Sequence, residues 1–183
     1  ISSGQVDYLL NKLYNDRTNK GLLVHYQMAE GQQRVLECRD LANDFFQDIR
    51  FWLETRAPEN GRVEVPDVVP NPLSDALIEL AKCIAAKIPS LKKPEEKQDL
   101  VAASTRLHGL GESLEGWRSQ ALSEAVYWVE QMGGRRKALR LSAAPVDVGP
   151  SLREHLFQEV PSVIMTSATL SVGKSGNFDF FKS

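Results

Sequence analysis

A mainly helical fold, an antiparallel bundle of three or four long helices flanked by a partial α/β layer from the two chain ends, is predicted by three observations. Apolar residues recur every three or four positions through most of residues 28–132. Proline-rich and glycine-rich breaks divide that stretch into segments far longer than an average helix. Outside it the texture changes to short alternating or continuous apolar runs, the grammar of strands.

The elements follow in order. Gln5 to Asn15 carries Val6, Leu9, Leu10 and Leu13 at helical spacing and ends in the polar turn Asn15-Asp16-Arg17-Thr18-Asn19. Gly21 to Tyr26 is short and apolar, a strand or the lead-in to a helix. Met28 to Thr55 reads as one long helix, with Val35, Cys38, Phe45, Ile49 and Trp52 on its apolar stripe and charged groups largely between them. Ala57 to Pro72 holds four prolines and breaks the pattern; within it Arg62 to Val65 has the look of a short edge strand. Leu73 to Ile88 resumes the helical period, Pro89 to Lys93 turns, and Pro94 suits the first turn of the next helix.

That next helix is expected to be the longest, from Pro94 through Trp117, Ala121, Ala125 and Trp128 to Met132, with a repeat near 3.5 residues that favours side-by-side packing. Gly109, Gly111 and Gly116 inside it mark a kink or a close helix contact, and Gly133-Gly134 ends it. Lys137 to Ala143 alternates like a strand with Leu139 and Leu141 on one face. Pro150 to Phe157 reads as a short amphipathic helix, and Val163 to Thr166 as a buried strand.

Composition bounds what such a chain does. The 183 residues carry 22 Lys+Arg against 24 Asp+Glu, and a 42% hydrophobic share suits a globular domain rather than a disordered one. A net charge of −2 argues against a tight charge-driven nucleic-acid binder while leaving room for a local basic patch. No apolar run reaches the roughly 18–20 residues of a membrane span, so no membrane partner is expected. The opening residues are polar and do not read as a secretory signal. Two cysteines, Cys38 and Cys83, suit a reducing, cytoplasmic compartment and are too few for a four-cysteine metal or cluster site. The absence of an initiator Met at Ile1 and the abrupt stop at Ser183 read as the ends of an excised piece.

The most informative motif is Ser162 to Ser171, where an apolar run enters Thr166-Ser167-Ala168-Thr169. Small hydroxyls at the carboxyl end of a buried strand can bond a neighbouring loop or a catalytic carboxylate, and a solvated turn has the same composition. Overlapping it, Ala168 to Ser175 fits a relaxed phosphate loop ending in Gly173-Lys174-Ser175. Gly176-Asn177 follows where that loop requires a helix, which weighs against it. The basic run Arg135-Arg136-Lys137, with Arg140, could meet DNA phosphates or simply complement a helix C-terminus. Trp52, Trp117 and Trp128 sit on the helical stripe, so core packing is expected over base stacking. His25, His108 and His155 are scattered and form no ligand set, and no catalytic nucleophile or general base stands out.

Residues 139–183, with Leu141-Ser142-Ala143-Ala144-Pro145-Val146-Asp147-Val148, Val163 to Ser171 and Phe178-Asp179-Phe180-Phe181, resemble the DinG branch of the XPD-like superfamily 2 DNA helicases. Residues 5–24 resemble the stretch after that family's Walker B box, and the helical middle resembles its arch insertion. The resemblance implies residues 1–27 as the end of a RecA-like motor segment, 28–136 as the arch-like insertion and 137–183 as the return into the motor. It implies an ATP-dependent DNA helicase, an ATP hydrolase acting on single-stranded or forked DNA, with Thr166, Ser167, Ala168 and Thr169 as motif III, the element coupling hydrolysis to DNA movement. ATP and Mg2+ would be bound mainly by residues outside this chain, and an iron–sulfur cluster is left open. A helical protein-interaction module and a nucleotide-binding domain built on Gly173-Lys174-Ser175 are the alternative readings.

Overall fold

Eleven segments of regular backbone account for most of residues 1–133 and 138–164, which the computed structural model describes. The chain divides after Val146 into two compact units, Ile1–Val146 and the residues from Asp147.

In the first unit, α1 (Ser3–Leu13) is started by Ser2, whose Oγ accepts from the Gln5 N–H at 3.2 Å, and buries Val6, Leu10 and Leu13. A tight loop closes between Asn15 and Lys20, and the ambiguous run that follows is a single helical turn, α2 (Leu22–His25). Helix α3 (Ala29–Thr55) buries Val35, Cys38, Ala42, Phe45, Ile49 and Trp52 as its spacing predicts. Helix α4 (Pro72–Lys87) starts on Asn71, whose side chain accepts from the Ser74 N–H, with Pro72 in the first turn. After a 3-10 turn at Ile88–Ser90, Pro94 opens α5 (Pro94–Arg118).

Helix α4 lies between α3 and α5, and α1 packs on α3. The α4–α5 pair is antiparallel: Ser74 Oγ donates to the Gly111 carbonyl at 2.9 Å and Ser104 Oγ to the Ala81 carbonyl at 3.0 Å. Among the three helix glycines, Gly111 is the close contact: a Cβ there would stand 2.9 Å from the Ser74 carbonyl oxygen and 3.0 Å from Ile78 Cγ1. Gly109 faces open space and α5 runs through it unbroken.

The expected helix to Met132 does not form. Helix α5 stops at Arg118, which makes α3 the longest helix, and residues 125–131 instead form a strand, β2 (Ala125–Gln131). Gln120 and Glu124 take left-handed backbone angles that break the helix, and Val126-Tyr127-Trp128-Val129 is a β-branched and aromatic run that favours a pleated surface. The strand β3 (Leu139–Pro145) arrives as expected, with Leu139 and Leu141 buried, and pairs antiparallel with β2. The short strand β1 (Arg62–Val63) pairs with the other side of β2, giving an antiparallel order β1-β2-β3. Gly61, at φ +68°, makes that approach possible: the Val129 N–H donates to its carbonyl at 2.9 Å, and a Cβ would collide with the Val129 carbonyl oxygen.

The second unit, from Asp147, opens with the Gly149 N–H donating to Asp147 Oδ1 at 2.8 Å. The expected helix at 150–157 is one α turn, α6 (Gly149–Leu152), running into a π turn at Arg153–Phe157. Val163 and Ile164 are irregular rather than a buried strand, and Ile164 is 92% exposed. The rest of that expected strand, Met165-Thr166, lies outside the described residues.

Candidate nucleic-acid interface

Strand periodicity sorts the side chains of the sheet. Tyr127, Val129, Leu139 and Leu141 are buried on one face, toward the end of α5, where Trp117 Nε1 donates to the Ser142 carbonyl at 3.0 Å. Trp128, Glu130, Arg140 and Ser142 alternate with them and lie on the opposite face. Cross-strand pairing sets Arg62 beside Trp128 and Trp128 beside Ser142, and in the neighbouring row Glu130 beside Arg140. The Trp128 indole N–H donates to Glu130 Oε1 at 2.8 Å, and Arg140 Nη1 stands 3.9 Å from Glu130 Oε2. The indole is thereby tied to a carboxylate whose charge an arginine partly offsets.

Of the proposed basic patch, Arg140 is exposed on β3, paired by an isolated bridge to Ser2. Arg135, Arg136 and Lys137 lie outside the described residues, as do Thr166, Ser167, Ala168 and Thr169 and the Gly173-Lys174-Ser175 loop. The backbone beside Arg140 is fixed from the start of the chain: the Ile1 amine donates to the Leu141 carbonyl at 2.9 Å and the Leu141 N–H to the Ile1 carbonyl at 2.7 Å.

The three tryptophans separate. Trp52 and Trp117 are 9% and 5% exposed and belong to the core, as expected; Trp128 is half-buried on the open sheet face, because its strand, not a helical stripe, sets its direction. Sequence periodicity missed Trp128 and Arg62 as surface neighbours. The β-branched and aromatic run Val126 to Val129 was the signal of a strand that would have paired them.

Other polar groups serve the fold. Arg39 donates to Asp16 at 2.9 Å, to the Tyr14 carbonyl at 2.9 Å and to Asn11 at 3.3 Å, clamping the loop after α1. The Asp16 carboxyl is held below its ordinary value by its own backbone N–H first and by the Arg39 guanidinium further. A cleft of 370 Å³ is lined by Ser3, Asp7, Arg39, Asn43, Gln47 and Arg50, a polar surface with two guanidinium groups and one carboxylate. Burial pushes the Cys38 thiol up to about 12, so it is a small core residue, not a nucleophile. Among the described residues no group of three or more His, Cys, Asp or Glu could hold a metal ion, and no helix is long and apolar enough to cross a membrane.

Compared with protein-family models, with curated proteins and with solved structures, the chain matches none.

Proposed function

We propose that this chain is part of an ATP-dependent DNA helicase of the DinG type. The helical unit forms one wall of the path of a single strand, and Thr166 to Thr169 couple ATP hydrolysis in the motor to that strand. On this reading α1, β3 and the residues from Asp147 contribute to a RecA-like motor layer, while ATP and Mg2+ are held mainly by residues outside the chain.

One observation supports it above the others. The two stretches that resemble the motor, around α1 and from β3 onward, are neighbours: Ile1 and Ser2 run antiparallel beside Arg140 and Leu141. The three long helices lie in the sequence between them. An insertion that leaves its host and returns to it at one place has this arrangement, with entry and exit side by side.

The test is single-strand binding by the 183-residue chain, read as fluorescence anisotropy of a labelled oligothymidylate at rising salt. Each phosphate contact contributes about −0.7 to the slope of log K against log salt, so four cations would give roughly −3. Replacing Arg135, Arg136, Lys137 and Arg140 together by Ala is expected to abolish most of that slope. Absence of single-strand binding, or a slope that the fourfold variant leaves intact, refutes the assignment. The chain alone is also expected to hydrolyse no ATP; an ATPase sensitive to Lys174→Ala would favour the nucleotide-binding alternative.

A further inference from the structure

We infer that the open face of the β1-β2-β3 sheet is a base-stacking platform for single-stranded DNA, with Trp128 as the stacking ring and Arg62 and Arg140 as flanking phosphate contacts. This deepens the helicase reading and rests on it.

Tryptophan is the largest apolar side chain, and in this fold Trp52 and Trp117 are withdrawn into the core. Trp128 is held out on the sheet face opposite Tyr127 and Val129. Arg62 pairs with it from β1 and Ser142 from β3; Glu130 and Arg140 occupy the row on one side of it, and Val126 and Ala144 the row on the other. A docking site for another protein would ring such an anchor with apolar side chains, whereas here they flank it on one side only. An aromatic ring with Arg62 beside it and Arg140 in the next row instead matches an unstacked base, whose π-face meets the indole while guanidinium groups meet the adjoining phosphates. Paired DNA keeps its base faces stacked on each other and offers no such surface.

Two further points agree. Glu130, the acidic group of the row, is bonded to the Trp128 indole and faces Arg140, so its charge is partly compensated and the indole orientation fixed. The connection between β2 and β3 contains Arg135-Arg136-Lys137 in sequence, so the strands that carry Trp128 and Arg140 are joined by three consecutive cations.

The experiment titrates an oligothymidylate of about 16 nucleotides, within the site sizes of single-strand binders, into the full chain and into Trp128→Phe, Trp128→Ala and Arg62→Ala variants. Tryptophan emission of the wild type is expected to be quenched on binding. Trp128→Ala is expected to bind roughly 5- to 150-fold more weakly, the range for loss of one stacked base, and Trp128→Phe to recover part of that loss. Binding of a blunt duplex of equal length is expected to be indifferent to Trp128→Ala. Because an altered strand could disturb folding, a second arm uses only the wild type: an oligonucleotide carrying 4-thiothymidine is photo-crosslinked and the adduct mapped by mass spectrometry, with the peptide around Trp128 as the expected site.

Single-strand binding that needs Arg135, Arg136, Lys137 and Arg140, yet is unchanged by Trp128→Ala and crosslinks elsewhere, overturns the platform and leaves the helicase reading standing. No single-strand binding at all overturns both. Sedimentation of a dimer that Trp128→Ala dissolves would assign the face to a second copy of the chain and overturn the platform as well.

Discussion

At the scale of single residues, two glycines two positions apart in α5 carry opposite meanings. Gly109 has nothing within 4 Å of the place a Cβ would occupy, whereas at Gly111 the Ser74 carbonyl and Ile78 stand against it. Gly109→Ala is therefore expected to stabilise the chain by about 1 kcal/mol through helix propensity alone, raising Tm by about 2–4 °C. Gly111→Ala must push α4 and α5 apart and strain the Ser74–Gly111 hydrogen bond, an overpacking that costs about 1–3 kcal/mol and is expected to leave it below the wild type. Thermal melts of the two variants check both signs. From the sequence, three glycines in an apolar helix announced a kink or a close contact without saying which residue was which. The answer depends on what the neighbouring helix presents at each height, and no local pattern contains that. The tryptophans show the same boundary: all three fit a 3.6-residue stripe, and only the position of a chain reversal decides that Trp128 leaves it.

Among the elements, the helices α1, α3 and α4 and the strand β3 were legible because their apolar spacing and flanking turn residues agree with one another. The stretch after Arg118 was not, because helical spacing and strand propensity compete in it. Ala121, Ala125, Trp128 and Met132 keep helical spacing, while Val126 to Val129 is a β-branched and aromatic run, and pairing with β1 and β3 selects the strand. The end of α5 is held by a clamp that the sequence did not reveal. Arg118 bonds Glu115 and Asp67, Asn71 Nδ2 donates to Glu115 at 3.0 Å, and the Asp67 N–H donates to the Arg118 carbonyl at 3.0 Å. The Arg118 guanidinium first, and the Asn71 amide after it, hold the Glu115 carboxyl below its ordinary value of 4.5. A depressed carboxylate stabilises the fold fully above its ordinary value and loses that contribution as pH falls through the folded one. Glu115 is 43% exposed, so solvent screens the pair and its contribution is about 0.2–1 kcal/mol. Glu115→Gln is expected to lower Tm by about 1–3 °C near pH 7 and by progressively less below about pH 4. A Tm difference that stays constant into acid would remove the ion pair from the account.

For the whole molecule, the seam between Ile1–Ser2 and Arg140–Leu141 sets an order of events. In an unfolded chain, bringing residues 140 positions apart into contact costs roughly 4 kcal/mol of chain entropy. The contacts between α4 and α5 span far shorter loops, such as the 23 positions that separate Ala81 from Ser104. Pulse-labelled hydrogen exchange during refolding is expected to protect amides in the middle of α4 and α5 first and the Leu141 amide last. Protection of Leu141 in step with Leu80 and Leu107 would contradict it. The seam is thus a clasp that closes after the rest has formed, and whichever residues sit beyond it would acquire a finished helical body only once that clasp is shut.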